Sequence, residues 1–415
     1  MPNLSFLNKN KVVLFFVYLY PISLTIGPAV SETIILLCIL FFYKILIKNL
    51  KLILEIKIFK LLIFFYIYLL FSSLLGFDAI YSLKTSLPYI RHIVFAFLIY
   101  LLLKNKKLDK NILFWSLLIF ILFLIVDLLI QFNFGKNLFG YEKVGHFRYG
   151  GIFDDELVLG SYLLKISPVF LTLLYLRKYK YSDYLCLFSL VILCSATLLT
   201  GERTSFFLSC LLFLSLFIFL RIKFINKFLI LVFILLSGLI FLNINNNQNV
   251  KDRIFNSTFQ SIFKDKKIIF FTENHEKLYN ASFKMFLDKP LTGHGPKSYR
   301  KICKLEKFYI NYHQACQTHP HNIYLQILAE TGLVGLTFLV LLFFYFFRIV
   351  FFGRILDKNQ TYEKKIFFIL TIGLFINLFP LAPTGNFFNN WYSMLLYFVL
   401  PYLIYFKKKY KFDKL

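Results

Sequence analysis

The chain has 415 residues, of which 59% are hydrophobic and 16% charged, and its mean hydropathy is +0.68. Apolar runs of about 18 or more residues recur along it, which excludes a soluble globular protein and predicts an all-α, polytopic membrane protein. The formal net charge of +26 comes mostly from lysines in the loops between these runs. We expect the lipid bilayer as a partner, and no nucleic acid.

Three parts of the chain follow from the apolar pattern. Residues 1–243 hold about nine apolar segments, residues 244–320 form one large hydrophilic loop, and residues 321–415 hold about three more segments. Cytoplasmic loops of membrane proteins accumulate Lys and Arg. The basic loops alternate along the chain, at residues 48–60, 104–110, 177–180, 221–227 and 354–365. The alternation predicts about twelve transmembrane helices, both termini in the cytoplasm and the large loop outside.

The segment 316–335 places polar groups directly before an apolar helix. Because an imidazole titrates near neutral pH, His321 suits a general base or a phosphate-binding donor. The simpler alternative is an exposed loop histidine followed by Asn322 as an ordinary helix N-cap. A metal site would need further ligands, drawn from His275, His294, His313 and His319. No metal-ligand spacing is clear among them, so we expect no metal. Gly332 and Gly335 are expected to let another helix approach.

Two arginines are expected at the same outer side. Arg203 lies in TGERTS, between two apolar segments joined by almost no loop. It suits a bidentate clamp on phosphate oxygens, although a local ion pair with Glu202 is the simpler alternative. Arg148 is similar but lies in a longer polar segment. Asp154 and Asp155 suit a helix N-terminus, whereas Glu156 is expected to lie deeper and to orient Arg203 or an acceptor hydroxyl.

The large loop is basic, which favours anionic ligands or lipid headgroups, although general lysine enrichment explains part of its charge. Residues 277–289 have apolar side chains at helical spacing and predict an amphipathic helix, followed by a GHGP turn. Cys303 and Cys316 are the only cysteines of the loop. Because an outer compartment is oxidising, we expect them to form a disulfide.

Together these residues resemble the O-antigen ligase/polymerase family of bacterial envelope glycosyltransferases. His321-Asn322, Gly332 and Gly335 match its signature of a histidine, a polar residue and two spaced glycines. The similarity extends in order over four segments, RYGGIFDDELVLGSYL, LLTGERTS, PLTGHGPKSYR and PLAPTGNFFNNWYS. The resemblance implies a helical GT-C type of fold in the bacterial inner membrane. It also implies transfer of a glycan from undecaprenyl diphosphate to a sugar hydroxyl at the periplasmic face, without metal or other cofactor.

The resemblance also implies roles for individual residues. Arg203 would grip the diphosphate, and His321 would activate the acceptor, with both flanking one anomeric carbon. Where the family often has another arginine, the stretch ENHEKLYNAS has His275 and Lys277, and Arg300 is a further candidate for that role. The expected catalytic residues are His321, Arg203 and Glu156, and the expected substrate-binding residues are Arg148, Asn322, Arg300, His275, Lys277 and Asn386.

The acceptor stays open at this point. A ligase would use lipid A-core and a polymerase another glycan chain, and both would use the same residues. A multi-pass transporter of a solute or a lipid-linked glycan is the alternative class, supported by Asp127, Glu156 and Arg203 within the helical frame. Against it, the polar residues gather on one side of the membrane, and no inverted repeat is visible.

Overall fold

The computed structural model describes the backbone of residues 4–145, 148–220, 222–223, 225–227, 263–264, 267–268, 271–308, 316–352 and 361–412. Side chains are described from Val13 onward in these ranges, except at residues 263–264 and 267–268. The ninth predicted segment, the first part of the large loop and His313 lie outside these residues. The principal helices of the described ranges are α1 Leu4–Ile26, α2 Pro28–Phe41, α3 Tyr43–Lys48, α4 Leu50–Glu55, α5 Lys57–Leu74, α6 Ala79–Ser86, α7 Ile90–Lys104, α8 Lys110–Phe134, α9 Leu159–Leu176, α10 Ser182–Leu199, α11 Arg203–Phe219, α12 Glu273–Asp288, α13 Tyr299–Ile302, α14 Ile323–Phe352, α15 Tyr362–Asn377 and α16 Asn390–Lys409. Two short strands, β1 Phe263–Lys264 and β2 Lys267–Ile268, form an antiparallel hairpin that the apolar pattern does not predict.

Six helical stretches among the described residues are long and apolar enough to cross a membrane, which confirms a polytopic helical membrane protein. They are Lys57–Leu74, Ala79–Lys104, Lys110–Phe134, Leu159–Leu176, Ser182–Leu199 and Ile323–Phe352. Shorter apolar helices cover Val13–Ile26, Pro28–Phe41 and Arg203–Phe219. The count of twelve spans and the GT-C type of fold stay predictions.

The chain divides into two compact units. The first comprises residues 1–108, 270–348 and 378–405, and here α2 packs against α1 and α7, and α5 against α6 and α7. Tyr20 lies in its core, with ring centroids 4.6 Å from Phe95 and 5.7 Å from Phe398. A smaller apolar cluster packs α12 and α13 beside α14, and comprises Leu278, Met285, Tyr299, Ile302, Cys303, Phe308 and Ala329.

The second unit comprises residues 109–269, 349–377 and 406–415. Helix α9 is its central element, because it packs against α8, α10, α11 and α15 and is buried along nearly its whole length. The approach of α15 to α9 depends on Gly373, since a Cβ atom there would lie 2.2 Å from Cγ of Pro168. A well-packed α9 fixes the position of its N-terminus, which carries part of the site described below.

Helix α14 breaks at Gly332, which has φ +68° and ψ −169°. Residues 290–295 lie against the break and replace the missing helical hydrogen bonds, with Leu333 N donating to Pro290 O at 2.8 Å and Gly295 N to Glu330 O at 2.7 Å. A Cβ atom at Gly332 would lie 2.3 Å from Leu291 O. The expectation that Gly332 admits another helix is therefore wrong, because an extended loop segment occupies that space. Gly335 does face a helix, as a Cβ there would lie 3.3 Å from the Tyr68 ring on α5.

Gly332→Ala is expected to destabilise the protein by about 1–3 kcal/mol, because it combines an unfavourable positive φ with a collision against backbone. Gly135→Ala is the matched control, since Gly135 also has a positive φ, +79°, but a Cβ atom there would meet nothing within 4 Å among the described residues. Thermal unfolding in detergent measures both variants. Equal losses of stability would show that the packing of residues 290–295 against α14 contributes nothing.

Candidate functional site

The polar groups of the second unit gather at the turn between α10 and α11. Arg203 is the first residue of α11, and Thr200 is the last residue before the turn. Tyr149 N donates to Thr200 O at 3.2 Å, which brings the segment that carries Arg148 to this turn. The structure therefore places both predicted arginines at one end of the second unit.

Glu202 connects these elements. Its side chain is only 8% exposed, and Oε1 accepts from Gly160 N at 2.6 Å, while Oε2 accepts from Ser161 N at 3.1 Å and from Ser205 Oγ at 2.8 Å. Burial raises the pKa of Glu202, while these hydrogen bonds and the charge of Arg148 act in the opposite direction. The carboxylate thus joins the N-termini of α9 and α11 and faces the charge of Arg148.

The sequence predicted that Glu156 lies deep, and this prediction is wrong. Helix α9 begins at Leu159 and not near Asp154, because a 3-10 turn over Gly151–Phe153 and the positive φ of Asp154, +54°, delay its start. Glu156 therefore lies exposed in the connecting turn. Glu202 is the buried carboxylate, and its sequence signal was its position inside a turn with almost no loop.

Asp127 and Gln131 on α8 bind the polar segment between α8 and α9, which also carries Arg148. Asp127 accepts from Leu138 N at 3.0 Å and from Asn137 Nδ2 at 3.2 Å, and Gln131 Oε1 accepts from Gly151 N at 2.9 Å. These buried groups thus hold Asn137, Leu138 and Gly151 in place. Asp127, which supported the transporter alternative, therefore has a structural role.

The first unit carries His321, which lies half-buried at the start of α14. Its φ is +55°, and its backbone oxygen accepts from Thr384 N at 2.8 Å. Its ring Nε2 lies 2.8 Å from Gln317 Oε1. The rings of His319 and His275 lie close to it, with centroids at 4.2 and 5.8 Å. The structure thus brings His275, predicted to bind substrate, beside His321.

His319 is a poor candidate for a base. Burial, and then the positive charge on His321, lowers the pKa of His319 to about 3. His319 is therefore neutral at physiological pH. Among the residues that the structure describes, no three His, Cys, Asp or Glu side chains are grouped to hold a metal ion.

Asn322 acts as the N-cap of α14. Its Oδ1 accepts from Tyr324 N at 2.9 Å and from Leu325 N at 3.1 Å, while its Nδ2 donates to Pro380 O at 2.8 Å. The simpler of the two interpretations from the sequence thus accounts for its contacts. Its side chain holds the backbone next to His321 in place.

Asn386 secures the turn that precedes α16. Its Oδ1 accepts from Gln326 Nε2 at 2.9 Å and from Phe388 N at 2.8 Å, and the side chain is 4% exposed. Gln326 in turn accepts from Phe387 N at 2.9 Å. Asn386 Nδ2 is buried without a hydrogen-bond partner in the described ranges.

Glu330 positions the segment that carries Arg300. The carboxylate is fully buried and accepts from Lys297 N at 2.9 Å, Tyr299 N at 3.0 Å and Gln326 Nε2 at 3.1 Å. Burial, followed by the charge of Arg300, lowers the pKa of Lys297. One carboxylate thus orders the backbone of the segment that carries Lys297 and Arg300.

Two further cationic residues have partners of their own. Lys277 pairs with Glu273 at 2.8 Å along the surface of α12. Arg91, which the sequence analysis did not single out, binds Glu32 Oε1 through Nη2 at 2.6 Å and Asn390 Oδ1 at 3.1 Å. The charge of Arg91 also acts on Lys297. An arginine at the very start of the apolar helix α7 was the signal that could have identified it.

Cys303 and Cys316 are disulfide-bonded, as predicted, with their Cα atoms 5.0 Å apart. Cys303 is fully buried in the apolar cluster beside α14. The bond therefore fixes the chain five residues before His321.

Replacing both cysteines by serine is expected to reduce stability by roughly 3 kcal/mol, because the bond closes a short loop in the unfolded chain. Thermal unfolding with and without reductant measures this. Reductant should lower the midpoint of the wild type and leave the double variant unchanged. An unchanged midpoint for the wild type in reductant would contradict the stabilising role of the bond.

Residues 188–340 match the family model described as O-Antigen ligase. This part of the chain is therefore similar to the O-antigen ligase family. The match confirms the resemblance seen in the sequence and supports a membrane enzyme of the O-antigen ligase/polymerase type. A search of curated proteins finds no match to the chain. The O-antigen ligase match runs from α10 into α14 and includes Arg203, His275, Arg300, His321 and Asn322, whereas Arg148 and Asn386 lie outside it.

Proposed function

We propose that the protein transfers a glycan from undecaprenyl diphosphate to a sugar hydroxyl, in the synthesis of lipopolysaccharide or another surface polysaccharide. One observation carries the proposal: the O-antigen ligase match covers both the turn with Arg203 and the segment with His321. A phosphate-binding cation and a titratable base are the two groups that this reaction requires.

The departing group is a lipid diphosphate, so negative charge develops on its phosphate oxygens in the transition state. Fixed cations lower the barrier when they already point at that charge. Arg203 and Arg148 supply such cations, and Glu202 holds the elements on which they lie. A planar guanidinium also binds two phosphate oxygens at once. Metal independence is part of the proposal, because these side chains supply the positive charge.

The acceptor is a hydroxyl, whose proton must leave as the new glycosidic bond forms. His321 serves as the general base, because an imidazole can accept a proton at physiological pH and this ring lies half-buried at the start of α14. Arg300, His275 and Asn386 lie in the same unit as His321 and are proposed to contact the substrates. Glu156 and Lys277 stay weaker candidates, since Glu156 is exposed and Lys277 pairs with Glu273.

The proposed site faces the periplasm, with both termini in the cytoplasm. Reporter fusions test this arrangement, because residues 247 and 358 lie in loops that the lysine pattern assigns to opposite sides. A periplasmic reporter is expected to be active at Asn247 and inactive at Lys358. A reporter that is active at both positions, or inactive at both, would contradict the topology.

A photoreactive undecaprenyl-diphosphate glycan tests the proposed donor. It should label the purified protein, and unlabelled lipid diphosphate should compete, whereas a nucleotide sugar should not. Labelling that survives excess lipid diphosphate would contradict the donor assignment. Supplying lipid A-core or a second lipid-linked glycan as acceptor separates ligase from polymerase. Movement of the labelled lipid across vesicles without any new glycosidic bond would favour the transporter.

A further inference from the structure

Gln317 is the side chain that contacts the His321 ring through a short hydrogen bond. The distance from its Oε1 to His321 Nε2 is 2.8 Å. A carboxamide oxygen only accepts hydrogen bonds, so the ring nitrogen in this pair is the donor. In a neutral imidazole one nitrogen carries the proton and the other the lone pair. This contact therefore selects the tautomer with the proton on Nε2 and the lone pair on Nδ1.

Separate contacts hold the chain at Gln317 and at His321. Gln317 directly follows Cys316, which is bonded to the buried Cys303. His321 is held through its backbone oxygen by Thr384 N at 2.8 Å. The intervening Pro320 restricts the backbone between them. The backbones that carry the ring and its partner are thus anchored independently, which favours a defined orientation of the ring.

We propose that Gln317 is a positioning residue that holds His321 with Nδ1 as the proton acceptor. This rests on the proposed function. The proton of the acceptor hydroxyl moves to Nδ1 while the hydroxyl oxygen forms its bond to the anomeric carbon. The bond from that carbon to the diphosphate oxygen breaks, and its electron pair leaves with the diphosphate. The resulting imidazolium keeps its second N–H on Gln317.

Charged and titratable groups near the His321 ring also affect its protonation. Helix α12 contributes His275, and the chain just before His321 contributes His319. Arg300 acts on His319. The turn at residues 378–389 contains no titratable side chain. A carboxylate at position 317 would place an acidic group directly against the ring.

Gln317→Glu and Gln317→Leu test the proposal in opposite ways. A carboxylate stabilises the imidazolium, so Gln317→Glu should move the acidic limb of the pH profile of kcat to higher pH by about one unit. Gln317→Leu removes the acceptor and should lower kcat by roughly 3- to 10-fold with little change in KM. Because Gln317 is exposed, both variants should fold. Asn280→Asp, which adds a carboxylate on the exposed face of α12, is the control and should leave the profile in place.

Two results would overturn this assignment. An acidic limb that does not move in Gln317→Glu, or an unchanged kcat in Gln317→Leu, would show that the contact does not orient the base. His321→Ala, measured alongside, keeps the two claims separate. If it abolishes transfer while the Gln317 variants behave as wild type, His321 remains the base and only the role of Gln317 fails. If it transfers normally, the proposed role of His321 fails.

Discussion

His321→Ala is expected to reduce glycan transfer by roughly 10²–10⁴-fold, because it removes the proposed general base. The loss should appear in kcat, while the apparent affinity for the lipid-linked donor changes little. A radiolabelled or fluorescent acceptor, with product counted after separation, measures the rate. The pH dependence of the residual activity should lose the acidic limb that the imidazole produces.

His321→Asn distinguishes the loss of the imidazole from a change in the backbone, and Lys304→Ala is the control. His321 has a positive φ, +55°, which asparagine tolerates better than alanine does. His321→Asn should therefore keep the backbone and still lose activity. Lys304→Ala changes an exposed residue of the same loop and should transfer normally. Full activity in His321→Asn would contradict a role for the imidazole.

Arg203→Lys is expected to lower transfer by roughly 10²-fold, since an ammonium group does not reproduce the planar, bidentate contact of a guanidinium with phosphate. Steady-state kinetics with the lipid-linked donor measures this loss. Arg177→Lys is the matched control in the same unit. Arg177 follows the C-terminus of α9, whereas Glu202 binds the N-terminus of α9, and Arg177 donates to Asn111 Oδ1 at 2.6 Å. Equal activities for the two variants would rule out a specific role for the Arg203 guanidinium.

The elements that depend on local patterns could be predicted from the sequence. The apolar runs indicated the membrane helices, and helical spacing at residues 277–289 predicted most of α12, observed as Glu273–Asp288. The disulfide between Cys303 and Cys316 could be predicted because they are the only cysteines of the loop. Each of these predictions rests on residues near one another in the chain.

Features that depend on distant segments could not be predicted in the same way. The break at Gly332 is stabilised by residues 290–295, about 40 positions earlier, and the glycine spacing alone suggested helix packing instead. Glu202 binds backbone groups of α9, and its place in a tight turn does not reveal which distant segment it contacts. Asn322 and Gln326 are four residues apart, but partners of both come from the distant turn at residues 380–387.

The order of acidic residues explains the error at Glu156. Three consecutive acids before an apolar run suggested the first turn of a helix, with the third acid facing inward. A positive φ at Asp154 turns the chain before the helix begins, so all three acids stay exposed. Buried charge near α9 comes instead from Glu202, whose hydrogen bonds to Gly160 and Ser161 compensate for its burial.

The most direct test is transfer by the purified protein. The protein in detergent, supplied with undecaprenyl-diphosphate glycan and a sugar acceptor, should form a new glycosidic bond and release undecaprenyl diphosphate, with chelator present. Mass spectrometry of the product identifies the bond, and His321→Ala should give almost none. Absence of any new glycoside with every lipid-linked donor and acceptor tried, or a strict requirement for an added divalent metal, would contradict the proposed metal-independent transferase.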